Sequence, residues 1–234
     1  MKNRLIRRFA RAKVIYHTRG FSHLMIQIIR FFLSQYRVFF QYSNYYLYER
    51  PIKEMNEANF MPKIKNFTFK IVASKEQADE LVGDGLEFPE DITKASYRLG
   101  KGAIAFCIFI DSKLAHIAWV ALTEEAKNSF DSLPYRVDFS NKQACTGGIV
   151  TIPEYRGEGL MSYSSFKRYQ FLKESGVSSL RSATPTNNFA TNRVSWKVDH
   201  KLYAKGRYIR ILWWKSWKEM PLEMTNEELL KNYQ

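Results

Sequence analysis

The sequence predicts an α/β (α+β) fold: a mixed, mostly antiparallel sheet flanked by helices, with an N-terminal helical extension ahead of it. Three observations carry that prediction. Short apolar, β-rich runs recur after Pro51, with breaker residues between them. Two of these runs, 103–110 and 114–122, are joined by only Asp111, Ser112 and Lys113, which makes a hairpin and sets neighbouring strands antiparallel. Helix starts and stops punctuate the remainder, with Ser74 opening one segment and Gly176 closing another.

The 234 residues are 45% hydrophobic and 25% charged, with 11 Gly and 7 Pro, which excludes a disordered, collagenous or low-complexity chain. Cys107 and Cys145 lack the spacing of a zinc site, so the expectation is two buried thiols, a reducing, cytoplasmic compartment and no metal. The net charge is +13, and nine basic residues (Lys2, Arg4, Arg7, Arg8, Arg11, Lys13, Arg19, Arg30 and Arg37) precede the first acid, Glu49. The expected organisation is a basic amphipathic extension over 1–50, a domain over 51–220, and a short C-terminal helix or tail over 221–234.

Within 21–41 the polar residues His23, Gln27, Arg30, Ser34, Arg37 and Gln41 recur at steps of three and four, which predicts a helix with a narrow polar stripe. Arg19, Arg30 and Arg37 interrupt the apolar run too often for a membrane span. The helix packs on the following domain or on a second copy as a homodimer, lies on an anionic membrane surface, or holds RNA. On the second reading the protein is peripheral on the inner membrane face.

Downstream, 67–73 reads as a strand, and Ser74-Lys75-Glu76-Gln77 as a capping box opening a helix that ends near Gly83 and Gly85. After the hairpin comes a strand over 145–152, in which Gly147-Gly148 predicts a bulge or a close backbone approach; Pro153 ends it. A glycine turn then leads into a helix that runs to Lys173, with Gly176 as its C′ residue. A strand over 179–184, a helix over 188–200 and a last strand holding Ile209, Ile211, Trp213 and Trp214 follow, with Thr225 and Glu228 capping a terminal helix. The five tryptophans are expected to pack in cores.

The turn Glu154-Tyr155-Arg156-Gly157-Glu158-Gly159-Leu160-Met161 is the most informative stretch. Its first-turn amides, bare glycines and positive helix end make a cradle for a diphosphate, and Arg156 adds a charged donor. An ordinary glycine turn has the same composition; context decides. Strand, Pro, Arg-x-x-Gly-x, helix, strand and an Asn-bearing helix together resemble the GNAT superfamily of N-acyltransferases across about 67–217. Arg156 and Gly159 match the family element, which ends here in Met161 rather than a small residue.

The resemblance implies that an acyl-CoA, such as acetyl-CoA, sets its diphosphate on Arg156, Gly157, Glu158, Gly159, Leu160 and Met161 and its pantetheine along Ile149, Val150 and Thr151. It places Asn192 and Ser195 with Lys201-Leu202 in the family's Asn-x-x-Ser pattern, with Tyr203-Ala204 where Gly-Phe is usual; Asn188 and Thr191 give a second register. The implied activity is acyl transfer to a primary amine, as on an amino sugar or lipid-linked substrate near a membrane. Aminoacyl-tRNA or a protein amine is the second acceptor class, and a non-catalytic binding module the third reading. Base candidates are His116, Asp138 and Glu154, and acid candidates are Tyr203 and Ser195.

Overall fold

The computed structural model describes residues 25, 40–189, 191, 192, 195 and 201–222. Of the helix expected over 21–41 only Met25, Phe40 and Gln41 are described, and the basic residues before it and the terminal helix expected after 222 lie outside the described residues. By internal contacts the chain forms two compact units, one of Met1–Ser43 with Arg207–Lys218, the other of Asn44–Gly206 with Glu219–Gln234.

Eight strands form one sheet: β1 (Phe40–Pro51), β2 (Thr68–Val72), β3 (Ile104–Ile110), β4 (Lys113–Ala121), β5 (Gln143–Thr151), β6 (Ser179–Pro185), β7 (Lys201–Ile211) and β8 (Trp214–Pro221). Their order is β2-β3-β4-β5-β6-β1-β7-β8. Pairs β2–β3, β3–β4, β4–β5 and β1–β6 are antiparallel, and β5–β6 is parallel. The mixed, mostly antiparallel sheet is therefore as the residue pattern predicts.

Two differences concern its margins. Phe40–Pro51, of which the helical period was expected to take in Phe40 and Gln41, is a strand lying between β6 and β7. The residues between His200 and Ile209 are β7 rather than a connection, and Leu212 and Trp213 form a turn (Leu212 φ 55) before β8. Trp119 is fully buried, as a core tryptophan should be, whereas Trp213 is 86% exposed and Trp214 also faces solvent.

The helices are α1 (Lys75–Gly83), α2 (Glu90–Thr93), α3 (Ala95–Leu99), α4 (Glu124–Phe130) and α5 (Leu160–Glu174). Ser74 caps α1 by accepting from the Gln77 amide, as its capping-box spacing predicts. α4, unassigned from the sequence, has the same device: Thr123 accepts from the Ala126 amide behind Glu124 and Glu125. α5 ends in a Schellman arrangement, with Val177 N–H donating to Leu172 O and Gly176 N–H to Lys173 O.

α5 covers one face of the sheet. Its Tyr169 and Leu172 pack with Phe106, Val120, Ala144 and Leu180, and its Leu160 and Tyr163 with Ile108, Ile110 and Ala115. Trp119 alternates with Val120 and so points to the other face, where the Arg98 guanidinium of α3 sits 5.1 Å from its ring. Helices on both faces make the middle strands apolar throughout, and β4 is buried from Leu114 to Ala121.

Candidate functional site

The site begins where two parallel strands part. β5 and β6 pair only at Gln143–Ser179, Ala144–Leu180 and Cys145–Arg181. Beyond that point β5 stays with β4 while β6 stays with β1, so the backbone of β5 from Thr146 to Thr151 faces β6 without a ladder partner. On its other edge β5 carries one extra residue: Ile117 opposes Val150, yet Trp119 opposes Gly147. This is the predicted bulge, and Gly148 lies in it at φ 56. A Cβ there would stand 2.9 Å from Trp119 Cδ1 and 3.0 Å from Arg98 Nη1, so only glycine fits.

After Pro153 the chain makes one 3-10 turn and then reverses through Gly157 and Gly159, both at φ 85, into α5. Gly159 occupies the N-cap and offers no side chain to the helix. No backbone N–H from Gly157 to Ser162 donates to an acceptor among the described residues. Six successive donors at the positive end of a 15-residue helix are thus left for an external anion. Glu158 turns its carbonyl the other way, accepting from the Lys63 amide at 3.0 Å, which anchors the turn.

These amides open on a cleft of about 660 Å³, a size usual for ligand sites. Ile149, Val150 and Thr151 form its strand wall, and Arg156, Gly157, Gly159, Leu160 and Met161 its turn wall. Arg156 is held beside β5 by Nε donating to Thr151 O at 3.2 Å. Eight of the ten residues expected to hold a coenzyme therefore meet at one cleft; Glu158 and Asn192 do not line it.

Asn192 is fully buried, accepting from the Tyr48 hydroxyl at 3.0 Å and donating to the carbonyls of Pro185 and Thr186. Its polar capacity is taken up in fixing the end of β6. The second register is the one at the cleft, since Asn188 and Thr191 line it.

A smaller cavity, about 170 Å³, adjoins the cleft and shares Ile149, Met161, Ser162, Asn188 and Thr191 with it. It lies where β5 and β6 separate, and Ser195 is on its wall. Arg50 and Arg168 also line it, and neither belongs to a motif of the sequence. A signal for Arg168 does exist. Leu160, Ser164, Arg168 and Leu172 recur at helical i+4 spacing and all are buried, so a cation sits on the inward stripe of α5.

The candidate bases fare differently. His116 is wholly buried opposite Thr151, its Nδ1 2.8 Å from Thr151 Oγ1 and its Nε2 without a partner among the described residues. Burial, then the Arg168 charge, pushes its imidazole down to about 3, so the ring is neutral. It lines neither cavity and reaches the cleft only through Thr151. Asp138 caps its own 3-10 turn, and hydrogen bonds from Asn141 and Ser140 hold its carboxyl below the usual range. Glu154 is exposed and outside the cleft; its hydrogen bond with the Tyr155 hydroxyl raises that phenol above its ordinary value.

Among the acids, Tyr203 lies outside both cavities under the Arg181 guanidinium, 4.8 Å from its ring, and burial pushes its hydroxyl up to about 12. Ser195 keeps a place in the site. Among the described residues no group of three or more His, Cys, Asp or Glu could hold a metal, and no helix is long and apolar enough to cross a membrane.

No protein-family model and no curated protein matches the chain. Solved structures similar to it include a conserved protein of unknown function from Staphylococcus epidermidis, at 12% identity and TM-score 0.48 over 76% of this chain and 65% of that one. An acetyltransferase from the GNAT family of Colwellia psychrerythraea is similar at 13% identity and TM-score 0.44, over 77% and 57%. A fungal multi-domain beta-N-acetylglucosaminidase, described as having a GCN5-related glucosamine N-acetyltransferase region, is similar at 12% and TM-score 0.49, over 79% and 23%. The chain thus spans less than two thirds of the length of each of these.

Proposed function

We propose that the protein is a GNAT-type N-acyltransferase that moves an acetyl or other acyl group from acyl-CoA to a primary amine. The observation that supports this most is the run of unpaired amides from Gly157 to Ser162 at the mouth of a cleft walled by an unladdered strand. A diphosphate suits the amides and Arg156, while a pantetheine arm, which carries its own amides, suits the free edge of β5. The thioester then falls at the junction of the two cavities, beside Ile149, Ser162 and Thr191.

Chemistry there follows from ordinary acidities. An alkyl ammonium of pKa about 10.4 gives up its proton through water to bulk solvent, which leaves a small fraction of neutral amine as the nucleophile. The amine attacks the thioester carbon, and a β5 N–H at the parting of the strands offsets the charge gathering on the carbonyl oxygen. The CoA thiolate, of pKa about 8.5, leaves and takes a proton from water or from a hydroxyl at the junction, with Ser195 the predicted donor. His116 acts through Thr151, as a neutral group that orients it.

The nine cationic residues of 1–48 and the exposed Ile211, Leu212, Trp213 and Trp214 support cytoplasmic action at an anionic membrane surface, with an amino sugar of a lipid-linked glycan as the acceptor class. Acetyl-CoA at a hundredfold excess over its Kd is expected to raise the Tm of the wild type by about 5–10 °C, and to raise that of Arg156→Glu far less. An unchanged wild-type Tm rejects the coenzyme site.

A further inference from the structure

Arg168 is 2% exposed and lines the smaller cavity, yet among the described residues no carboxylate lies within 4.0 Å of it. Two other inward cations do have a carboxylate: Arg181 has Glu49 at 2.9 Å, and buried Lys127 has Glu124 at 3.7 Å. The acceptors of Arg168 among the described residues are neutral. Its Nε donates to Ser164 O at 3.2 Å, its Nη2 to Ser165 Oγ at 2.7 Å, and its Nη1 to Thr146 Oγ1. Thr146 is fixed in turn, donating to Trp119 O at 2.9 Å.

A guanidinium has five N–H donors, so one remains on each terminal nitrogen, matching in number the two oxygens of one anionic group. Leaving a buried charge unanswered is costly, and a rigidly held one is preorganised for a counter-charge. Arg50 adds a second cation to the same wall, its guanidinium 4.3 Å from the Tyr169 ring. Among the described residues no acidic one lines the cavity, and Ser182 and Thr184 add hydroxyls to its wall. A bare cationic amine, such as a polyamine, would meet only repulsion there.

We infer that the acceptor carries an anionic group, a carboxylate or a phosphate, close to its amine, and that Arg168 binds that group inside the smaller cavity. This rests on the acyl-transfer reading above. The amine is then left pointing toward Ile149 and Met161, which both cavities share. The anion also draws the acceptor past the two cations that would otherwise reject its ammonium group. Specificity comes from that pairing, because an acceptor lacking the anion leaves Arg168 unanswered.

The test uses the full chain and CoA release from acetyl-CoA with matched acceptors: glycine against glycinamide, and glucosamine against muramic acid (carboxylate) and glucosamine 6-phosphate (phosphate). At least one anion-bearing member is expected to exceed its neutral partner about 100-fold in kcat/KM, and Arg168→Gln to abolish that preference while the Tm shift with acetyl-CoA is retained. As a check independent of mutant folding, N-acetylglycine should raise the wild-type Tm and N-acetylglycinamide should not. Neutral acceptors used as well as anionic ones, or equal Tm shifts with the two products, overturn the inference. If acetyl-CoA itself fails to stabilise the wild type, the acyl-transfer reading falls and takes this one with it.

Discussion

His116 and Thr151 face each other across the β4–β5 ladder, imidazole Nδ1 to hydroxyl at 2.8 Å. The pair joins a fully buried ring to a residue on the cleft wall, and it sets an acid limit on stability. The folded imidazole is pushed to about 3, while an unfolded one titrates at about 6.5, so below pH 6.5 the unfolded chain binds the extra proton. Stability contributed by the neutral ring is complete above pH 6.5 and falls as pH drops toward 3, with a slope approaching about 1.4 kcal/mol per pH unit. Urea midpoints at pH 7, 6 and 5 should show this, and His116→Asn should flatten the curve.

Gly148 has no room for a side chain. Gly148→Ala is expected to cost about 1–3 kcal/mol, from the positive φ and the approach of Trp119 Cδ1, and to move the strand edge away from the thioester. The measurement is a denaturation midpoint together with kcat/KM for acetyl-CoA, and both should fall.

Asn192 separates folding from binding. Asn192→Ala leaves the Tyr48 hydroxyl and the carbonyls of Pro185 and Thr186 without this partner, a loss of about 1–3 kcal/mol. KM for the acyl-CoA should stay as in the wild type, because this side chain is outside the cleft. A raised KM at unchanged stability would return it to the coenzyme site.

Met161 stands at the junction of the two cavities, at a position where the GNAT element that the sequence resembles has a small residue. Met161→Ala should widen the acyl position. Each added methylene that finds burial there is worth about 0.8 kcal/mol, or roughly fourfold, so butanoyl-CoA, with two more, should gain about fifteenfold over acetyl-CoA in kcat/KM relative to the wild type.

Features written in short stretches were legible. Asp111 and Ser112 turn the hairpin, the Gly147-Gly148 pair marks the bulge, and Gly176 closes α5, each by a local backbone requirement. The amide cradle belongs to the same class. Long-range features were not legible. Tyr46, Leu47 and Tyr48 are buried because Phe40–Pro51 meets β6, and nothing within 40–51 names that partner. The helical period was carried on to Gln41 for want of that information. Arg168 was missed for a related reason: a lone cation among apolar residues draws notice only once the helix face it occupies is known to be covered. The choice between Asn188 and Asn192 turned on which way one helical turn faces, and the family spacing admitted both.

The position of β1 bears on how the protein is made. Tyr45 lies opposite Pro185, and Pro51 opposite Ser179, so a segment that leaves the ribosome early must wait for β6 to be translated before its backbone finds a neighbour. Through that interval a tyrosine-rich stretch stays unsheltered, open to chaperones and to pairing with other nascent chains, and completion of the sheet is a late event of synthesis.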